Sequence, residues 1–315
     1  MIGRRDFLRY GGMGLGGTLL GVRDAASARG PQAGLEHAPG HFVDAHVHIW
    51  TDDLQKYPVA KGVRAEDMAP RVFTDDDILR HARPNGVTRV VLIQMSYYGF
   101  DNSYMLDAIR RRPAVFRGVA IVDSRSDGVE AEMRRLARHG VRGFRLVPEK
   151  GPAESSLKGE GLDRMWRCGG KENLAMCLLI NPETFPAVGK RCEKFPDTPI
   201  VIDHFGHVGL PGPILERDLE ALCALARYPN VKVKVSAFYA AGERKPPHLD
   251  VAPMLKRVYE TFGPQRLMWG SDCPYQVQKE TYAEGITLVR DHVDFLSASD
   301  KQWILRRTAE ETFFR

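Results

Sequence analysis

The chain has 315 residues, with 45 Lys+Arg against 40 Asp+Glu for a formal net charge of +5, and 43% apolar and 27% charged residues. These are ordinary globular proportions, which exclude a collagen-like or largely disordered chain. No apolar run reaches the roughly 18 residues of a transmembrane helix, and no Lys/Arg stripe marks a nucleic-acid-binding face.

The N-terminus reads as an export signal over residues 1–28. Gly3-Arg4-Arg5-Asp6-Phe7-Leu8 is a positive start of twin-arginine type, Gly11–Val22 is a weakly apolar stretch, and Ala26-Ser27-Ala28 is a small-residue cleavage pattern. The expected destination is the periplasm. The Gly12–Gly17 stretch superficially matches a dinucleotide-binding loop, but no strand precedes it, so that reading is rejected. Residues 29–40 form a flexible lead-in, and 41–315 form one catalytic-sized domain. Five cysteines (Cys168, Cys177, Cys192, Cys223, Cys273) are odd in number, irregularly spaced and without a C-x-x-C, so buried thiols are expected rather than a disulfide framework.

From residue 41 onward, β-rich apolar runs recur: Phe42–Ile49, Val87–Met95, Arg117–Val122, Val141–Val147, Leu174–Ile180, Ile200–His204, Val231–Ala237 and Arg266–Ser271. Between them lie stretches of helical period. Val129, Met133 and Leu136 share one face; so do Leu215, Leu219, Leu222 and Leu225, and again Ile286, Val289, Val293 and Leu296. Thr74 through Asp77 has the form of a capping box. The connection 49–73 is too long for a plain βα loop and, with Trp50 and Tyr57, is a candidate lid. Strands alternating with helices predict a parallel sheet, and eight of them favour the α/β class (β/α)₈ TIM barrel over a doubly wound open sheet.

A barrel builds its active site at the carboxyl ends of its strands. Those ends carry His46 and His48, Gln94 and Ser96, Asp123, Arg145, Asn181, Asp203 and His204, Lys234 and Ser236, then Ser271 and Asp272. His46 and His48, two apart on a strand, share a face and can grip one divalent ion with His204 and Asp272. Asp272, before Pro274, is either a turn-capping residue or the carboxylate that takes a proton from water. Arg145 is either a rim salt bridge or a fork for a substrate carboxylate. Lys234 lies on the inward face of its strand, as a core ion pair or a catalytic group. Tyr97, Tyr98 and Asn102 are placed at the entrance, with Gln94, Asn181 and Ser236 as further substrate contacts. His37, His41, His139, His248 and His292 are taken as surface or loop groups.

In order along the chain, Val43-Asp44-Ala45-His46-Val47-His48, Gln94 with Asn102-Ser103-Tyr104, Phe116–Ala120, Gly140–Arg145, Asp203-His204-Phe205-Gly206-His207, Asn230–Ser236 and Gly270-Ser271-Asp272-Cys273-Pro274 resemble the amidohydrolase superfamily, in its amidohydrolase 2 branch of metal-dependent barrel hydrolases, on the lactonase-like side. The resemblance implies that His46 and His48, His204 and Asp272 occupy the family's strand-one, strand-six and strand-eight positions, with catalysis by Asp272 and His204. Where metal-dependent members end strand five in histidine, this chain has Leu178-Leu179-Ile180-Asn181. The implied cofactor is therefore one divalent ion at most, zinc first among candidates, or none, with the imidazoles polarising a carbonyl directly. The implied partner is a small carboxylated or sugar-derived lactone; a metal-dependent decarboxylase and an exported non-catalytic binding protein are the alternatives. The closing segment Thr308–Phe314 follows the family's last helix loosely.

Overall fold

The computed structural model describes residues 41–147, 157–210 and 212–315; the expected export signal and lead-in lie outside them. Within the described residues, eight parallel strands follow chain order: β1 Phe42–Val47, β2 Val87–Ile93, β3 Phe116–Ala120, β4 Val141–Leu146, β5 Ala175–Leu178, β6 Ile200–Ile202, β7 Val231–Ser236 and β8 Leu267–Gly270. The ring closes between the last strand and the first. His48 N donates to Cys273 O at 2.8 Å, and Asp272 N donates to His46 O at 2.9 Å. This is a (β/α)₈ barrel.

Helices α1 Asp75–Ala82, α2 Ser103–Arg111, α3 Val129–Arg138, α4 Glu160–Glu172, α5 Phe185–Lys194, α6 Glu216–Cys223 and α7 Ala252–Phe262 return the chain between strands, and α8 Tyr282–Thr287, α9 Ala298–Gln302 and α10 Thr308–Phe313 follow β8. The capping box opens α1: Thr74 Oγ1 accepts from Asp77 N at 3.2 Å, and Asp77 Oδ2 accepts from Thr74 N at 2.7 Å. On α3, Val129, Met133 and Leu136 are buried as their spacing predicts. Around α6 the stripe is cut short. Leu219, Leu222 and Leu225 are buried, but Leu215 precedes the helix in extended backbone and stays exposed.

Two cores result. Val43, Ala45, Val91, Ile93, Val119, Ala175, Cys177, Val201 and Met268 fill the barrel interior, and Ala309 and Phe313 of α10 close it at the end opposite the site. A larger shell lies between strands and helices. The 49–73 connection is fastened down: Trp50 pairs both backbone groups with Phe73, its indole donates to Pro70 O at 2.8 Å, and the Tyr57 hydroxyl donates to Asp107 at 2.7 Å. Trp50 and Tyr57 are buried in it. All five cysteines are free and buried.

All eight strands end one or two residues before the apolar runs that announce them do. At three carboxyl ends the backbone turns through left-handed conformations at non-glycine residues: His204 (φ 51°), Ala237 (φ 59°) and Asp272 (φ 65°). Such residues are uncommon and cluster where a site over-determines them. Here the turns bring side chains back over the mouth.

Candidate active site

The site starts with a bulge in β1. Between Asp44 and Val47 the register slips, three steps on β1 matching two on β2 (Val90 to Leu92). A bulge re-aims side chains. Val43 and Ala45 point into the barrel, Val47 packs in the outer shell, and His46 and His48 both face the mouth. Asp44 is turned the other way. Its Oδ1 accepts from Ser271 N (2.9 Å) and His46 N (3.1 Å), and its Oδ2 accepts from the Tyr282 hydroxyl (2.8 Å), tying β1 to the end of β8. The β8 backbone comes close enough that a Cβ on Gly270 would lie 2.8 Å from the His46 Cβ, so glycine is required there.

The structure brings His46, His48, His204 and Asp272 together. Asp272 Oδ1 lies 3.4 Å from His48 Nε2, 3.6 Å from His46 Nε2 and 3.8 Å from His204 Nε2. The partners on the far side of each ring set its proton. His48 Nδ1 is 2.9 Å from Ile93 O, so it carries the proton and leaves Nε2 bare toward Arg145 Nη1 at 3.4 Å. His204 Nδ1 pairs with the Ser236 hydroxyl at 2.9 Å. His46 Nδ1 is 3.1 Å from Lys234 Nζ and 3.4 Å from Asp203 Oδ1. Lys234 is donor-only, so the shorter contact favours the tautomer with the proton on Nε2, pointing into the site.

Burial lowers all three imidazole pKa values, most strongly for His46, which also sits beside the Lys234 charge. Burial pushes the Asp272 carboxyl up, but the surrounding imidazoles outweigh it and hold the group well below the usual carboxylate range. At neutral pH the site is an ionised carboxylate among neutral rings. Beneath it, Lys234 Nζ and Asp203 Oδ1 form a fully buried ion pair at 3.0 Å. Burial raises the Asp203 carboxyl, and the Lys234 charge overrides that to keep it ionised.

The other candidates divide. Arg145 is buried at the mouth with its Nε unpartnered. Ser236 and Asn181 hold histidines: Ser236 orients His204, and Asn181 Oδ1 accepts from His207 Nδ1 at 2.8 Å. Gln94 spends its amide on Asp101 O. Asn102 binds the Phe100 and Ile121 carbonyls and the Ile121 N–H, clamping backbone rather than facing the entrance. The Tyr98 hydroxyl accepts from Thr51 N at 3.0 Å, and Tyr97 packs edge-on against Trp50. Both tyrosines are buried. Asp123, half-buried and paired with the exposed Arg125, is outside the cluster. His41, His139 and His292 are exposed, as expected, and His37 lies outside the described residues. His248 lies on a loop, as expected, but not at the surface: it is fully buried, 2.7 Å from Glu280, because the loops after β7 and β8 meet there. Tyr239, whose hydroxyl donates to Asp272 Oδ2 at 2.7 Å, belongs to no motif singled out above.

A family model for amidohydrolases matches residues 43–315. The chain belongs to the amidohydrolase family. Curated relatives include an L-fucono-1,5-lactonase of Burkholderia ambifaria, 29% identical over 74% of this chain and 80% of that one. A 4-sulfomuconolactone hydrolase of Rhizobium radiobacter is 28% identical over 74% and 75% of the two chains. A 2-pyrone-4,6-dicarboxylate hydrolase of Comamonas testosteroni is 28% identical over 77% and 79%. Among solved structures, an amidohydrolase of Burkholderia multivorans with bound zinc superposes with a TM-score of 0.75 at 22% identity, covering 87% of this chain and 99% of that one. A 2,6-dihydroxybenzoate decarboxylase from Rhizobium shares the fold at a TM-score of 0.61 and 14% identity, over 87% and 99%.

Can this amidohydrolase cluster hold a metal? His46, His204 and Asp272 each offer a ligand atom, all within 4.8 Å of one another. Tetrahedral ligands about 2.0–2.2 Å from an ion sit about 3.3–3.6 Å apart, and the pairs to Asp272 are close to that. His46 Nε2 is buried with no hydrogen-bond partner, and the bare His48 Nε2 faces a carboxylate oxygen, lone pair to lone pair. Both features suit a cation. The three residues fit one ion, provided the His46 proton moves to Nδ1, toward Asp203.

Proposed function

We propose that this chain hydrolyses a cyclic ester, a lactone of a small carboxylated or sugar-derived acid. The observation that carries the reading is Asp272 Oδ1 facing three imidazoles, with the Arg145 guanidinium alongside. The relatives named as lactonases and lactone hydrolases support the same class.

Asp272 acts as the base. Water adds to the ester carbonyl as its proton passes to Asp272, and the carbonyl oxygen becomes an oxyanion. His46 Nε2–H is placed to donate to that charge, and His204 adds a second donor when the Ser236 hydroxyl donates to its Nδ1. The tetrahedral species then breaks its ring C–O bond. Asp272 returns the proton to the departing alkoxide, leaving an alcohol and a carboxylic acid on one opened chain, and the acid then releases its proton to solvent as the carboxylate forms. His48 serves by accepting from Arg145, which fixes the guanidinium and leaves its other N–H groups for a substrate carboxylate. If His46, His204 and Asp272 hold a divalent ion, it supplies Lewis-acid polarisation of the carbonyl and a more acidic water.

The test is a pH-indicator screen of lactones with the purified protein, with Asp272→Asn beside it. Asp272→Asn is expected to lower turnover by a factor of about a thousand or more with the thermal midpoint unchanged, since base and charge are both lost. Near-wild-type turnover in that variant overturns the reading. Carbon dioxide release in place of an acid equivalent assigns a decarboxylase, and ligand-induced stabilisation without turnover assigns a binding protein. Elemental analysis of the same sample separates the metal-assisted mode from the metal-free one.

A further inference from the structure

We infer that Tyr239 is a positioning residue that fixes which oxygen of Asp272 serves the site. The backbone of Asp272 is pinned: its N–H donates to His46 O at 2.9 Å, and its carbonyl accepts from Tyr275 N at 3.0 Å. Its carboxylate is a rotor at the end of that pinned segment. Outside the imidazole cluster, the tight hydrogen bond it accepts among the described residues is the one from the Tyr239 hydroxyl to Oδ2, at 2.7 Å. With Oδ2 occupied, Oδ1 is the oxygen left facing the three imidazoles.

Tyr239 is itself held for this. Ala237 leaves β7 in the left-handed conformation, at φ 59°, and starts a single 3₁₀ turn, Phe238–Ala240. Phe238 anchors the turn: it is buried and packs 6.1 Å from the Phe205 ring and 6.0 Å from the His248 ring, centre to centre. Tyr239, one residue on, remains half-buried and swings over the mouth to Asp272. The strand carrying Lys234 and Ser236 beneath His46 and His204 thus supplies a third support, to the acid opposite them. Partners of this kind orient an active group without touching substrate, and their loss characteristically costs tenfold to a hundredfold.

The kinetic consequence rests on the hydrolase reading above; the structural one does not. Tyr239→Phe keeps the ring and removes only the hydroxyl, so the fold is expected to persist, checked by the thermal midpoint. In a high-resolution crystal structure of Tyr239→Phe, the Asp272 carboxylate is expected to rotate away or split between orientations. In steady-state kinetics on the best lactone, kcat is expected to fall about tenfold to a hundredfold with KM within about twofold, the split expected when a base is misaligned but the pocket is intact. A carboxylate unmoved at full occupancy, or a kcat equal to wild type, overturns the inference. If the wild-type protein opens no lactone, the hydrolase reading falls, and the crystallographic comparison still decides the role of Tyr239.

Discussion

Asp44 shows how the residue beside a catalytic group can govern stability instead. It is fully buried and accepts three hydrogen bonds, yet burial outweighs them and raises its carboxyl to about 6. The folded protein therefore holds a proton on Asp44 in a window, from about pH 4 to about pH 6, where the unfolded chain has released it. Stability from this group is fully present below that window and is lost as pH rises through it, by about 3 kcal/mol. Asp44→Asn removes the titration and preserves the shape: an amide oxygen can accept from Ser271 N and His46 N, and the amide N–H can donate to the Tyr282 oxygen. Relative to wild type, the variant is expected to gain about 3 kcal/mol between pH 4 and pH 8, the stability that wild type loses over that range. Urea denaturation across pH checks this, and a stability difference independent of pH refutes it. The sequence showed the His-x-His pair and its likeness to a family motif. It did not show that Asp44 points outward, because strict alternation puts residues 44, 46 and 48 on one face. The bulge that breaks this parity is a property of pairing with β2 and has no local signature.

At the scale of a strand, β7 was the most readable element. Val231, Val233 and Val235 face the helices, and Lys234 and Ser236 face the axis, as period-two alternation demands. Alternation could not choose between an ion pair and a catalytic role for Lys234; the partner decided, since Asp203, just past the end of β6, sits 3.0 Å away. The strand ends were less readable. Left-handed turns at Ala237, His204 and Asp272 fall on residues that rarely adopt them, so nothing local announced that Tyr239 would meet Asp272. The β7–β6 pair has a measurable consequence. Lys234→Met fills the same space but strands a buried carboxylate, and breaking one side of a buried pair costs about 3–5 kcal/mol. Lys234→Met is expected to lose that much in equilibrium unfolding, and Lys234→Met combined with Asp203→Asn to recover most of it. A double variant no more stable than the single one would show that the cost came from packing.

The whole molecule separates the end that reacts from the end that holds. Strands deliver polar side chains to one mouth, and α10 seals the other: Phe313 and Ala309 complete the interior core. Lys234 Nζ lies 5.8 Å from the centre of the Phe313 ring, so the plug reaches up to the ion pair. This plug was the least legible part of the fold, because Thr308–Phe314 is short and reads as an ordinary amphipathic tail. Its importance comes from packing against strands distant in the chain, β1 and β4 as well as the nearby β8. Truncating a buried phenylalanine costs about 3–5 kcal/mol through lost transfer energy and the cavity left behind. Phe313→Ala should therefore lower the urea midpoint by that equivalent. Because the missing ring lies below the Lys234–Asp203 pair, and that pair still braces His46, kcat/KM under folding conditions should stay within about threefold of wild type, a barrier change under 1 kcal/mol. A loss of activity larger than the unfolded fraction explains would mean that packing at the sealed end sets the geometry of the imidazoles, and that the two ends of the barrel are mechanically one.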